Sequence, residues 1–314
     1  MLKLKTLSTL TVLALAQPAL ANIDIQFDYT YSNGFFNAAN MATLDTAAAV
    51  FESRFADTLT AITSSGGNGF DPNFFNPADP FNPDSLLANV SLNDQSFAVN
   101  VIRVYVGGAD LGSGTLGLGG PGGFGCSGFG SFCNDAASRG QGATQNIYDN
   151  QNNLVTAAND FALWGGSISF NSASTWHFGQ TTSGLDSNEA DFYSVAVHEL
   201  AHVLGFGTAD SYYNHIDGTF GGPNATALYG GGIPLDLDEA HWAEGTMSVV
   251  NGIAQEAAMD PSILLGTRKY FTELDFAAMK DIGWAVTPVP EADTWAMLLT
   301  GLGLVGFAVR RRRI

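Results

Sequence analysis

The sequence predicts an α+β fold, because patterns typical of strands and patterns typical of helices occur along the same chain. Residues 22–31, 97–106 and 160–170 are largely apolar or alternate between apolar and polar positions, as strands do. Residues 41–62 and 186–204 carry apolar side chains at helical spacing. The body between the two chain ends has about 270 residues, which is enough for one large domain or for two lobes around a cleft.

The first strand and the first helix are predicted from the spacing of their apolar residues. In residues 22–31 every second side chain is apolar, which places these side chains on one side of a strand: Ile23, Ile25, Phe27 and Tyr29. In residues 41–62 the spacing is that of an amphipathic helix: Leu44, Ala47, Ala48, Phe51, Phe55 and Leu59. Residues 66–83 are rich in Gly, Asn, Pro and Phe and are predicted to be a surface loop.

The middle of the chain is rich in glycine. Residues 107–142, which follow the second predicted strand, are expected to lack regular structure for this reason. Cys126 and Cys133, the only cysteines, lie in this region. In an oxidising compartment they would close a short loop as a disulfide, and otherwise they are two free thiols.

The third predicted strand, residues 160–170, precedes the longest predicted helix. A pair of glycines inside the strand favours a bulge or a place at a sheet edge. In the helix, residues 186–204, Asp186 and Glu189 imitate a capping box, and apolar residues lie nearly all round, which predicts burial. Gly205 is placed to end this helix.

The C-terminal part of the body has fewer regular patterns. Residues 206–239 are predicted to be mostly loop, and residues 272–282 a short helix. We therefore expect a smaller, loop-rich C-terminal lobe.

The N-terminus has the pattern of an export signal. Residues 1–21 have two lysines, a short apolar run and the small-x-small sequence Ala19-Leu20-Ala21. This order is typical of a secretory signal peptide that signal peptidase removes. The predicted domain therefore spans residues 22–287, followed by a C-terminal segment at residues 288–314.

That C-terminal segment combines a Pro-Glu pair, 15 apolar or small residues at 295–309 and four arginines. As a helix the run would cover about 22 Å, less than a hydrocarbon core of ~30 Å. The arginines are expected to stay in the cytoplasm, with the body outside. The segment resembles the PEP-CTERM sorting signal of Gram-negative bacteria, which an exosortase processes, although Ala292 replaces the last residue of Pro-Glu-Pro. A plain membrane anchor is the alternative, and both place the body in the cell envelope or outside the cell.

The body is strongly acidic. Residues 22–290 hold 28 acidic and six basic side chains, a formal charge near −22. This charge disfavours nucleic acid and anionic membrane surfaces as partners and keeps an exported protein soluble. The acidic stretch Asp236, Asp238 and Glu239 is either a calcium-binding loop or a solvated one.

The segment HELAHVLGFG is the strongest sign of chemistry. His198 and His202 share one helix face, where both imidazoles can bind one metal ion, and Glu199 is turned toward a neighbouring point. This spacing is the HExxH motif of zinc sites. Two core histidines and a structural glutamate are the alternative, which the cost of burying three polar groups disfavours. A catalytic zinc has three protein ligands and one open position, so a third ligand is required.

With Gly205 the motif becomes HExxHxxG, which resembles the metzincin zinc peptidases. The resemblance implies a twisted mixed sheet packed on a long active-site helix, and a glycine turn that brings the third ligand from below. Thr208 stands where compact metzincins have that histidine. The leishmanolysin-like branch has a long insertion before a His-Trp pair, which implies that His241, followed by Trp242, is the third ligand.

The resemblance also implies a methionine turn below the metal, at Met259 or, as the alternative, Met247. Other third ligands remain open: Asp210, His215 and, in the ExxxD pattern of a different class of zinc peptidase, Glu256 with Asp260.

These residues predict an exported zinc-dependent endopeptidase that binds one zinc ion, with Glu199 as general base toward a zinc-activated water. The substrate would be a protein or peptide that pairs in extended form with an edge strand, expected at residues 163–170. The alternative is a non-catalytic surface or extracellular-matrix protein on a peptidase scaffold. The presence of Glu199 disfavours it, because an inactive scaffold has no need of that base.

Overall fold

The computed structural model describes residues 23–81 and 89–288. The predicted signal peptide lies outside these residues, as does the predicted sorting segment from residue 289 onwards. Among the described residues, no helix has the length and apolar character needed to cross a membrane. The helices are α1 (Ala38–Glu52), α2 (Phe132–Ser138), α3 (Phe192–Val203), α4 (Asp210–Tyr213), α5 (Pro223–Tyr229) and α6 (Glu273–Ile282). The strands are β1 (Asp24–Asp28), β2 (Gly69–Phe75), β3 (Asn89–Ser91), β4 (Val101–Ala109), β5 (Gly117–Pro121), β6 (Gly123–Ser127), β7 (Ile147–Tyr148), β8 (Leu154–Thr156), β9 (Gly165–Asn171), β10 (Trp176–His177), β11 (Ala190–Asp191), β12 (Met247–Val250) and β13 (Ile253–Glu256).

The larger sheet has four strands in the order β1, β4, β9, β5. The first three run parallel, and β5 pairs antiparallel with β9 at one edge. α1 and α3 pack against each other, and α3 contacts β9 and β5. The sheet and these helices share one apolar core, which includes Leu44, Phe51, Ile102, Val104, Ile168, Val197 and Leu200. The predicted α+β class is confirmed.

β9 lies inside this sheet, between β4 and β5, so the prediction of an edge strand at residues 163–170 is wrong. Its first glycine serves a different purpose. A Cβ on Gly165 would lie 1.7 Å from the carbonyl oxygen of Arg103 on β4. The glycine therefore permits close approach of two central strands, and the edge position belongs to β5.

A second sheet has three antiparallel strands in the order β3, β2, β6. The predicted loop at residues 66–83 contains β2, and the predicted irregular region at 107–142 contains β5, β6 and α2, so both predictions are wrong. Phe70 and Phe74 of β2 pack with Trp164 in a small core of their own. This packing offsets the low strand preference of the surrounding Gly, Asn and Pro. Cys126 and Cys133 form a disulfide between β6 and α2.

α1 ends at Glu52, ten residues before the predicted end. The chain beyond it is extended, and the Leu59 N–H donates to Asn100 Oδ1 at 2.8 Å. Phe55 and Leu59 are fully buried in this extended stretch. Phe55 and Leu59 are therefore apolar because they lie in the same core as α1, although they are not part of the helix.

α3 begins at Phe192, six residues after the predicted start. Asp191 caps the helix, whereas the Asp186 N–H donates to Glu189 Oε2 at 3.0 Å within a separate turn. At the other end Gly205 has φ +105°, so a glycine ends the helix as predicted.

The chain after α3 forms a lobe with α4, α5, the β12–β13 hairpin and α6. α6 confirms the predicted helix at residues 272–282, and Thr272 and Asp275 form its capping box. Trp242 and Phe220 are fully buried in the same core as the sheet. The lobe is therefore fixed against α3 and not merely tethered to it.

Candidate metal centre and active site

α3 carries three of the predicted site residues in its second half. His198 and His202 lie one turn apart on one face, with Glu199 beside them. The N-terminus of this helix is fixed by Asp191, whose carboxylate accepts from the Ser194 N–H at 3.1 Å and pairs with Arg268 at 2.6 Å. The two histidines therefore project from an anchored element.

His241 reaches the same point from the C-terminal lobe. The next residue, Trp242, is fully buried; its N–H donates to the Met259 carbonyl at 2.9 Å and its Nε1–H to Asp275 Oδ1 at 2.9 Å. The Ala240 backbone packs against Gly207, where a Cβ would lie 2.4 Å from the Ala240 oxygen. These contacts hold the His241 loop against the end of α3.

The Nε2 atoms of the three histidines converge. The distance is 3.1 Å between His198 and His202, 3.2 Å between His198 and His241, and 3.0 Å between His202 and His241. Imidazole nitrogens that share one tetrahedral zinc at ~2.0–2.1 Å lie about 3.3 Å apart, so the spacing matches such a site.

The hydrogen bonds of the three Nδ1 atoms determine whether the Nε2 atoms carry a proton or a free lone pair. The Nδ1 atoms face acceptors: the Ala258 oxygen at 2.8 Å for His198, the Phe206 oxygen at 2.8 Å for His202, and Asp238 Oδ2 at 2.7 Å for His241. Each Nδ1 therefore carries the proton, and three Nε2 lone pairs point at one another. That arrangement is repulsive unless a cation lies between them, and the residues fit a zinc ion.

The surroundings keep the two helix histidines neutral. Burial lowers the pKa of His198 well below its usual value, and the neighbouring His202 and His241 lower it further. Burial and His241 likewise lower the pKa of His202 to about 4. Neutral imidazoles are the form that binds metal, so neither side chain has to lose a proton at neutral pH.

Glu199 lies under the glycine-rich edge strand β5. Its side chain is buried, and burial raises its pKa to about 8, although a hydrogen bond from the Gly119 N–H acts in the opposite direction. A cation held by the histidines would also lower this pKa. A Cβ on Gly117 would lie 2.6 Å from Glu199 Cγ, so a side chain larger than hydrogen has no room there.

A cavity of about 500 Å³ opens beside the three histidines. One wall is β5 with the residues that precede it, a second is α3, and a third is the chain from Ala258 to Ile263. Lys269 lies at the wall of the cavity, where its Nζ contacts Asp260 and, at 2.8 Å, Glu256 Oε2. The cavity therefore combines a glycine-rich strand, the histidines and a buried ion pair.

The alternative ligands lie elsewhere. Asp210 Oδ2 accepts from the Asn146 N–H at 2.7 Å, and His215 Nε2 contacts the Asp281 oxygen at 3.0 Å. Glu256 lies with Glu244 and Asp260 in a separate acidic group that Lys269 contacts. In the described part of the chain, these three and the three histidines are the two groups in which three or more potential ligand atoms meet.

The remaining predicted residues also have defined places. Met259 is fully buried, and its carbonyl accepts from the Trp242 N–H, while the carbonyl of the preceding residue, Ala258, faces His198 Nδ1. Met247 is exposed on the β12–β13 hairpin. Thr208 Oγ1 donates to the His202 carbonyl at 2.7 Å. The acidic stretch at residues 236–239, for which the sequence left calcium binding or solvation open, makes a different contact: Asp238 Oδ2 lies 2.7 Å from His241 Nδ1.

Sequence reasoning missed two features of the site. The first is Asp238, for which the spacing Asp-x-x-His in DEAH was an available signal. The second is β5, because the glycines that suggested irregular structure are those that admit Glu199.

Two family models match parts of this chain. The Matrixin model matches residues 137–214, which contain β9, α3 and the HExxHxxG segment. Matrixins are a metzincin family, so the resemblance to the metzincin zinc peptidases is confirmed over this segment.

The second match is the PEP-CTERM protein-sorting motif, at residues 288–313, and it confirms the predicted C-terminal signal. No curated protein and no solved structure matches the chain.

Proposed function

We propose that this protein is an exported zinc-dependent endopeptidase with Glu199 as its general base. The observation that carries the proposal is the convergence of the three Nε2 atoms beside a buried glutamate at the wall of a cavity. The matrixin match over the helix supports a metallopeptidase, and the sorting motif supports export.

In this proposal His198, His202 and His241 hold the zinc ion. When bound, zinc polarises the scissile carbonyl and lowers the pKa of water at the site. Glu199 takes a proton from the attacking water and delivers it to the leaving nitrogen of the peptide bond. The Gly119 N–H orients the carboxylate. Burial raises the pKa of Glu199, and a cation bound by the histidines would lower it again, toward the ionised form that a general base requires.

The substrate in this proposal is a protein or peptide segment in extended form. β5 is the edge of the larger sheet, and Leu118 and its glycine neighbours line the cavity. An extended peptide can add to such an edge by backbone hydrogen bonds, which places its carbonyl groups along the cavity. Signal peptidase and an exosortase-type enzyme would process the two ends of the chain.

Glu199→Gln tests the chemistry, because glutamine keeps the shape and loses the base. We expect zinc at one ion per chain in both proteins, and a loss of roughly 10²–10⁴-fold in kcat/KM on a quenched fluorescent peptide in the variant. Cleavage that survives in Glu199→Gln would contradict the role of Glu199. Zinc without any cleavage by the wild type would favour the non-catalytic surface protein.

His241→Ala tests the third ligand, with His215→Ala as its matched control. Both variants remove one histidine from the C-terminal lobe, but His215 contacts the Asp281 carbonyl and not the other histidines. We expect zinc content to fall in His241→Ala and to stay at the wild-type level in His215→Ala. The reverse pattern would overturn the assignment.

A further inference from the structure

The three histidines differ in what holds their outer nitrogens. His198 and His202 face backbone carbonyls of Ala258 and Phe206, both in buried segments. His241 faces the carboxylate of Asp238, whose Oδ2 lies 2.7 Å from Nδ1. The one ring that comes from a loop is therefore the one with a charged partner.

The loop itself fixes the position of that carboxylate. Asp238 Oδ1 accepts from the Ala240 N–H at 2.9 Å, while Oδ2 faces His241. The loop is closed by a bond of 3.0 Å from the Asp236 N–H to the His241 carbonyl. Both carboxylate oxygens thus have partners within the loop, and the ring of His241 has one orientation in which these bonds and the contact with the other histidines coexist.

We propose that Asp238 is a positioning residue for the metal centre: it orients His241, fixes the proton on Nδ1 and increases the affinity of the site for zinc. This proposal rests on the proposed function, in that it takes His241 as a zinc ligand. Asp238 is an exposed residue, and without its bond the His241 ring would rotate on a loop far from the other two ligands in sequence. A carboxylate partner also balances part of the charge of a cation bound by neutral histidines.

The test is the zinc affinity of the exported protein, measured by competition with a chromogenic chelator. Asp238→Ala removes both the acceptor and the charge, and we expect affinity to fall by about 10- to 100-fold, the effect typical of a ligand's hydrogen-bond partner. Asp238→Asn keeps an acceptor oxygen and loses the charge, so it should recover part of the loss. Glu239→Gln is the matched control, because it removes the same charge from the adjacent exposed position without touching His241.

Cobalt absorption supplies a readout that a merely structural role would not change. In the cobalt-loaded protein the visible bands report the arrangement of ligands around the ion. We expect Asp238→Ala to alter them and Glu239→Gln to reproduce the wild-type spectrum. Thermal unfolding of the same variants with a chelator present checks that Asp238→Ala folds, because its effect should appear only when metal is bound.

The outcomes separate this inference from the proposed function. If Asp238→Ala binds zinc within two-fold of the wild type while His241→Ala loses it, Asp238 has no positioning role and the ligand set stands. An equal loss in Asp238→Ala and Glu239→Gln would reduce the effect to loop charge and also overturn the inference. If His241→Ala keeps wild-type affinity, the ligand set of the proposed function fails instead.

Discussion

Gly119 of β5 lies directly over Glu199 of α3. Its N–H donates to the Glu199 carboxylate, and a Cβ on Gly119 would lie 2.5 Å from the Glu199 backbone oxygen. The edge strand β5 and the helix α3 therefore meet at a point where only a hydrogen atom fits as a side chain. The glycine-rich composition of β5, which disfavours strands, is required here by the position of Glu199.

Gly119→Ala should reduce activity in a protein that still folds. The added methyl group must push β5 away from α3, which lengthens the bond to Glu199 and moves the strand proposed to bind substrate. A shift of about 1 Å in such a site can cost ~100-fold in rate, whereas overpacking costs roughly 1–3 kcal/mol in unfolding free energy. The measurements are kcat/KM and urea unfolding.

Gly120→Ala is the control for this substitution. A Cβ on Gly120 meets no atom within 4 Å, although the residue lies in the same strand. We expect activity close to that of the wild type. Equal losses in the two variants would mean that the strand tolerates no side chain at all, and would remove the special role of the contact with Glu199.

Asp275→Asn should destabilise the C-terminal lobe. This buried carboxylate accepts from Thr272 N–H at 2.8 Å, Ala258 N–H at 3.0 Å and Trp242 Nε1–H at 2.9 Å, so it joins α6 to both segments that flank the histidines. In Asp275→Asn the amide NH₂ group, itself a donor, would face groups that are also donors, so hydrogen bonds are lost. We expect the unfolding free energy to fall by about 3 kcal/mol in chemical unfolding. Glu273→Gln on the same helix is the control, because its contact with Arg54 is partly exposed at 3.5 Å and is worth at most about 1 kcal/mol.

Removal of the disulfide should lower stability and spare catalysis. The bond between Cys126 and Cys133 closes a loop of eight residues, for which loop-closure entropy predicts about 2.5 kcal/mol. It joins β6 to α2, which contribute to the small core around Phe70. The double variant Cys126→Ser/Cys133→Ser should show a lower unfolding midpoint at unchanged kcat/KM. A loss of activity in folded protein at low temperature would show that the small core positions the site.

The predictable parts of this fold are those that short-range spacing determines. His198, Glu199 and His202 follow from helical geometry alone, and Gly205 and α6 follow from end signals. The C-terminal end of α1 and the existence of β2 and β5 depend on distant partners. Asn100 holds the chain after α1, Trp164 packs with the phenylalanines of β2, and Glu199 requires glycine in β5. These contacts cannot be predicted from the local amino-acid composition. His241 came from a family resemblance, because no local pattern links a loop residue to a helix 39 positions earlier.

The pH dependence of the unfolding free energy should report the protonation of Asp260, which contacts Lys269 at the cavity wall. Burial raises the pKa of Asp260 above its usual value, and the neighbouring Glu256 raises it further, while Lys269 opposes both. At pH values between the pKa of Asp260 in the unfolded chain and its higher pKa in the folded protein, the folded state therefore keeps a proton on Asp260 that the unfolded state has released. Deprotonation of Asp260 then costs folding free energy as the pH rises from about 4 toward neutrality, at up to about 1.4 kcal/mol per pH unit.

Asp260→Asn removes this titration, so its unfolding free energy should fall less than that of the wild type over the same pH range. Comparison of the two proteins cancels the titrating groups that do not contact Asp260 or its partners Glu256 and Lys269, including the histidines. Parallel curves for wild type and variant would mean that Lys269 holds the pKa of Asp260 at its ordinary value. A steeper fall in the wild type would confirm that the folded protein raises the pKa of Asp260.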